Sequence, residues 1–223
     1  MHKTIGIYNN KGGVGKTMTT SHLAIYAEYQ EIPTIAVCID RQGDLYRFLS
    51  NGNGVLKDDT FYERSKFLSV VYSPMKVPKF QNVDLVLVDC PPAIEIALTF
   101  NPSLWLVPVH GRLGFENMHN VLGELAATGA DILIMMNMSG RGGKRMDLEL
   151  RKAIASTPKA KLCEVIVPEA DAITRTTDFF KAVWDVPYGK DTAASITMES
   201  FCRSVLSGCG FKMKKRRING EGQ

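Results

Sequence analysis

No apolar run in the 223 residues reaches the roughly 18 that a membrane-spanning helix needs. The opening Met-His-Lys-Thr-Ile-Gly-Ile-Tyr lacks the basic stretch, apolar middle and small-residue cleavage site of a secretory leader, and runs straight into a strand-like pattern. Both absences point to the cytoplasm. Cysteine is scarce and unpaired in pattern: five residues, an odd count, with no C-x-x-C. Three lie inside apolar runs, so they are expected as buried free thiols, not as disulfides or metal ligands. The histidines show no metal-like spacing, and His110 and His119 are read as structural or surface residues. There is no internal repeat and no low-complexity linker, which favours one domain over two.

Most of the chain also lacks net charge. The total is +4, and residues 212–223 hold five basic residues against Glu221. The whole excess therefore sits in that tail, and the body, 1–211, is neutral. Lys212, Lys214, Lys215, Arg216 and Arg217 form a candidate nucleic-acid contact, since clustered cations gain affinity by releasing counterions from a phosphate backbone. The tail is expected to be flexible. Gly208 and Gly210 interrupt the pattern just before it, and only Phe211, Met213 and Ile218 are apolar nearby, which makes a poor amphipathic membrane stripe. Arg141 to Arg145 is a second basic spot.

What is present is alternation. Strand-length apolar runs at Thr4–Tyr8, Thr34–Ile39, Asp84–Val88, Leu104–Val109, Asp131–Asn137 and Leu162–Val167 are separated by helical periods. The helical stretches are Thr17–Gln30, Phe115–Thr128, Lys144–Ala155 and two more near 171–184 and 192–207. Residues 50–82 read as irregular. About six strands alternating with about six helices predict an α/β fold: a mostly parallel sheet with helices on both faces.

Between the first strand and first helix lies Lys11-Gly12-Gly13-Val14-Gly15-Lys16-Thr17. Glycines allow a tight turn with inward-pointing N–H groups, and the helix N-terminus adds the positive end of its dipole. Lys16 can reach the β- and γ-phosphates of a nucleotide, and the Thr17 hydroxyl can ligate Mg²⁺. The strict pattern G-x-x-x-x-G-K-S/T is missed only at Asn10.

With its second lysine, Lys11, this run resembles the deviant Walker A box of the ParA/MinD ATPases, and Asn-Asn-Lys-Gly-Gly is closest to the short partition members. The resemblance implies that Gly12, Gly13, Val14, Gly15, Lys16, Thr17 and Met18 bind ATP. It also implies that Lys11 reaches the phosphates of a second subunit in an ATP-bound homodimer, as an arginine finger does. Asp40-Arg41-Gln42-Gly43-Asp44, about 25 residues later, resembles the family's second box. Asp40 would sit near Mg²⁺ and accept a hydrogen bond from the attacking water. Cys38, Arg41 and Asp44 depart from that box, which puts the rate and control of hydrolysis in question. Asp89, ending a buried strand before Cys90-Pro91-Pro92, resembles the Walker B aspartate and would hold Mg²⁺ together with Thr17 and Asp40. Asn137 and Pro168 fall where relatives contact the adenine. The likeness covers roughly 3–207, with 45–82 matching poorly.

The implied function is slow ATP hydrolysis with Lys11, Lys16 and Asp40 as catalytic groups, stimulated by a ParB-like or other adaptor. Non-specific DNA binding would serve plasmid or chromosome partition or cargo positioning. A MinD-like membrane-associated regulator, a metabolic enzyme of the same superclass and a binding-only switch are the alternatives.

Overall fold

A computed structural model describes residues 2–137 and 144–214, with the side chains of 112 and 144–149 excepted. The strands are β1 (Lys3–Ile7), β2 (Thr34–Cys38), β3 (Thr60–Ser65), β4 (Leu68–Tyr72), β5 (Leu85–Asp89), β6 (Leu104–Val109), β7 (Asp131–Met136) and β8 (Ala160–Leu162). They form one sheet in the order β3-β4-β2-β5-β1-β6-β7-β8. Every neighbouring pair is parallel except the hairpin β3–β4. The helices are α1 (Lys16–Tyr29), α2 (Asp44–Leu49), α3 (Ile94–Ala97), α4 (Gly111–Ala127), α5 (Lys144–Ala155), α6 (Asp171–Thr174), α7 (Thr176–Phe179) and α8 (Ala193–Gly208).

The continuous apolar strands are explained by burial on both faces. In β5, Leu85 and Leu87 join a core with α1, α2 and α8, while Val86 and Val88 face α4 and α5 on the other side. Alternate residues of β1, β2, β6 and β7 divide in the same way, as the two-residue period of a strand requires. Gly6 is needed in β1 because a Cβ there would come within 2.4 Å of the Trp105 ring.

The sheet has eight strands where about six were expected. The extra pair, β3–β4, lies in the segment that read as irregular. β4 carries an apolar run, Leu68–Tyr72, but β3 is an edge strand with alternating exposure, and Gly54, Pro74 and Pro78 flank the hairpin, which gives the segment the composition of a loop. The strand expected over Leu162–Val167 pairs only as Ala160–Leu162. Beyond it the chain still reaches β7 through Cys163 N–H to the Ile134 carbonyl (2.7 Å) and Val167 N–H to the Met136 carbonyl (3.1 Å), four residues spanning two, which is not a ladder. The helix expected over 171–184 is two single turns, ended by Phe180 in the left-handed region (φ 51°).

Residues 211–214 pack down. Phe211 and Met213 lie against the α1–α8 core. Lys214 donates its N–H to Gln30 Oε1 (2.7 Å), pairs its ammonium with Glu31, and gives its carbonyl to Arg203 (3.3 Å). No helix among the described residues is long and apolar enough to cross a membrane.

Candidate phosphate-binding site

The parallel strands all point one way, so the segments leaving β1, β2, β5 and β7 gather at one edge of the sheet, the usual place for a ligand in such folds. After β1 the chain turns through Gly13 (φ 73°) and Gly15 (φ 92°). Left-handed backbone costs a side chain about 1–2 kcal/mol. Gly15 has a second constraint, because a Cβ there would lie 2.0 Å from Asn137 Nδ2. At Gly12 and Gly13 a Cβ would meet nothing within 4 Å, so the loop is an open cradle. α1 begins without a side-chain cap and without an acid in its first turn. Its leading N–H groups and dipole are thus left for an anion.

Lys16 is 8% exposed and donates its ammonium to the Lys11 carbonyl at 2.8 Å. Burial lowers its pKa, and Asp89 and Asp40 pull it back up. Thr17 donates its hydroxyl to Asp89 Oδ2 at 2.8 Å. Thr20 gives its hydroxyl to the Lys16 carbonyl (2.9 Å) and lies 3.5 Å from the other carboxylate oxygen. Asp89 is 2% exposed. Burial pushes its carboxyl up to about 7, against the Thr17 hydrogen bond and the Lys16 charge. A divalent cation beside it would restore the ionised form. A hydroxyl and carboxylates are hard oxygen donors, the set Mg²⁺ prefers. The open cradle, the buried amine and this donor set fit a Mg²⁺-nucleotide.

Asp40 follows β2, is half-buried, and accepts the Gln42 N–H on Oδ1 at 3.0 Å. Cys38 stands opposite Asp89 in the β2–β5 register, fully buried, its thiol pushed up by burial. It is a core residue. Asn137 directly follows β7, 1% exposed, and donates Nδ2–H to the Val14 carbonyl at 2.8 Å, while its own Oδ1 is buried without a partner among the described residues. Val167 brings Pro168 to the same end of β7. Met18 sits in the first turn of α1, half-buried, its carbonyl accepting from Ser21 (2.9 Å) and facing His22 Nδ1 (2.7 Å). Lys11 has its backbone fixed on both sides, by Asn9 Oδ1 (3.0 Å) and by Lys16, with its side chain half-exposed.

Sequence reasoning missed Asn9. It is fully buried, donates to the Pro108 (2.9 Å) and Gly114 (3.3 Å) carbonyls, and ties the loop to β6 and α4. A polar residue directly after an apolar strand was its only signal. Thr20, and Tyr8, whose hydroxyl donates to the Pro92 carbonyl (2.9 Å), were equally silent.

Lys214 stands at the other end of α1 from the phosphate loop, with Lys212 two residues before it. Lys215, Arg216 and Arg217, the 141–143 loop and the side chains of Lys144 and Arg145 lie outside the described residues.

No protein-family model and no curated protein sequence matches this chain. Solved structures do. A variant of McdA from Cyanothece in complex with ATP matches with a TM-score of 0.76 at 15% identity, over 96% of this chain and 99% of that one. MinD from Pyrococcus horikoshii complexed with Mg-ADP matches at 0.75 and 19%, over 96% and 100%. A ParA-family ATPase from Chlorobium tepidum matches at 0.71 and 17%, over 91% and 98%. The chain has the fold of the ParA/MinD ATPases, and the expected class, helices on both faces of a mostly parallel sheet, is present.

Proposed function

We propose that this chain is an ATPase of the ParA/MinD kind, which binds Mg²⁺-ATP, pairs with a second copy in that state, binds DNA non-specifically and positions a cargo such as a plasmid or chromosome. One observation carries it: Thr17 meets Asp89 at 2.8 Å beneath an open glycine loop that also buries Lys16. Lys16 would leave the Lys11 carbonyl for the β- and γ-phosphates, which satisfy the buried cation better. The first-turn N–H groups of α1 hold phosphate oxygens. Thr17 and Asp89, with Asp40 nearby, would hold Mg²⁺, which would supply positive charge against the charge developing on the phosphates. Asp40 accepts a hydrogen bond from the attacking water. The Oδ1 of Asn137, which has no partner among the described residues, would be an acceptor for the base, with Pro168 near the same end of β7. Lys11, braced by its own backbone, presents its ammonium to the second copy, and an adaptor protein speeds hydrolysis.

The tail's exit supports the DNA part. Lys214 is fixed at the end of α1 remote from the phosphate loop. A DNA contact there and a second copy over the loop occupy different surfaces.

The test is fluorescence anisotropy with an unrelated duplex in ATP, in ADP and without nucleotide, alongside Lys11→Ala and a chain ended after Lys214. ATP-dependent binding that weakens steeply with salt and is lost in Lys11→Ala is expected. Loss on truncation assigns the contact to Lys215, Arg216 and Arg217. Absence of DNA binding in every state overturns the partition role and directs the search to liposomes.

A further inference from the structure

The loop after β2 is held from outside by the segment that the sequence left unplaced. Its carbonyls are partnered one after another. The Cys38 carbonyl accepts the Ser73 N–H (3.0 Å), Ile39 the Met75 N–H (3.1 Å), Asp40 the Gly43 N–H (3.1 Å) and Gln42 the Arg47 guanidinium (2.6 Å). The Arg41 carbonyl accepts the hydroxyl of Tyr72, the last residue of β4, at 3.0 Å. Tyr72 is 7% exposed, and its ring lies against Tyr46 with centroids 6.1 Å apart. Arg41 reaches back over the same segment, its guanidinium 3.0 Å from the Met75 sulfur.

One of these bonds reaches the catalytic carboxylate. The Arg41 carbonyl and the Gln42 N–H belong to the same peptide unit, which is planar and rigid. That N–H donates to Asp40 Oδ1 at 3.0 Å. The order is therefore Tyr72 hydroxyl, Arg41 carbonyl, Gln42 N–H, Asp40 carboxylate. Each bond in such a chain polarises the next, and fixing one edge of the plane fixes the other.

We propose that Tyr72 is a positioning residue for Asp40, aiming its carboxylate through the 41–42 peptide plane. The β3–β4 hairpin is then the part of the fold that sets how well Asp40 is placed for the attacking water. This rests on the ATPase reading given above.

The variant Tyr72→Phe keeps the ring against Tyr46 and removes only the hydroxyl. Two measurements follow on the full chain. Amide hydrogen exchange without nucleotide is expected to quicken about three- to tenfold at Gln42 in Tyr72→Phe and in Asp40→Ala, with Gly43 little changed. Unchanged exchange at Gln42 in Tyr72→Phe overturns the chain of bonds. Single-turnover conversion of pre-bound ATP is expected to slow about three- to tenfold in Tyr72→Phe with the ATP Kd unchanged. No further slowing is expected when Tyr72→Phe is added to Asp40→Ala. Equal slowing in both backgrounds, or a weakened Kd with the rate intact, overturns the positioning role. A wild-type chain that binds but never hydrolyses ATP would defeat the ATPase reading, and Gln42 exchange would still decide whether Tyr72 holds the plane.

Discussion

The phosphate loop after β1 and the loop after β2 stand on neighbouring faces of one site, and they are stabilised in different ways. The first depends on what its own residues lack: two glycines turn it, and two buried amides, Asn9 and Asn137, fasten it to β6, α4 and β7. The second has a single left-handed glycine, Gly43, and takes three of its carbonyl partners from a neighbour, Tyr72 at the end of β4 and Ser73 and Met75 just after it, the other two being local. A loop that must approach phosphate closely has to be bare, whereas a loop that must carry one aimed carboxylate can be clamped by packing. The contrast makes definite predictions about where each loop breaks.

The largest effect is expected at Gly15. Gly15→Ala places a Cβ in left-handed backbone and 2.0 Å from Asn137 Nδ2. The strain and the displaced amide together cost about 4 kcal/mol, read as a drop in Tm of about 10 °C with loss of labelled-ATP binding. Gly12→Ala is the control: nothing lies within 4 Å of its Cβ, so Tm should hold while ATP binding weakens. An equal fall in Tm for both would mean that the loop is not held through Asn137.

The next effect is acid sensitivity on the phosphate-loop side. His22 in α1 is fully buried; its Nε2 accepts the Val183 N–H at 3.1 Å, so the neutral ring donates Nδ1–H to the Met18 carbonyl at 2.7 Å. Burial lowers its pKa from 6.5 to about 4. The unfolded chain therefore takes up the proton first. The stability contribution is complete above about pH 6.5 and is lost as the pH falls toward 4, to a limit of about 3 kcal/mol. Melting curves at pH 7 and pH 4.5 for the wild type and His22→Gln check it, with the wild type expected to lose more than the variant.

The smallest effect tests the clamped loop. Gly43 has φ 74°, and a Cβ there would lie 2.5 Å from Leu56 Cδ2. Gly43→Ala should cost about 1–2 kcal/mol in backbone strain plus the displacement of Leu56. Adding Leu56→Ala relieves the contact but not the strain, so chemical denaturation should show no full recovery in the double variant. Complete recovery would show that side-chain crowding, not backbone, limits this loop.

How much of this could be read from the sequence follows the same division. The placement of Thr17 and Asp89 was legible because one opens a helix after a strand and the other ends a buried strand, and the structure brings the two into contact. The central strands were legible because burial on both faces removes polar residues from them. Asn9 was not, since its three hydrogen bonds run to backbone atoms, two of them about a hundred residues away, that no local pattern marks. β3 was not, because an edge strand with one wet face carries the sequence of a loop. Tyr72 was invisible for a related reason: its hydroxyl matters only through a peptide plane 31 residues away.

The docking of Lys214 on Gln30 and Glu31 also bears on how this chain can be labelled. α1 runs from the phosphate cradle to that anchor, about 21 Å for its 14 residues. A fluorophore or affinity handle joined beyond residue 214 leaves the body at the far end of that rod. It can report on the chain without standing beside the glycine cradle.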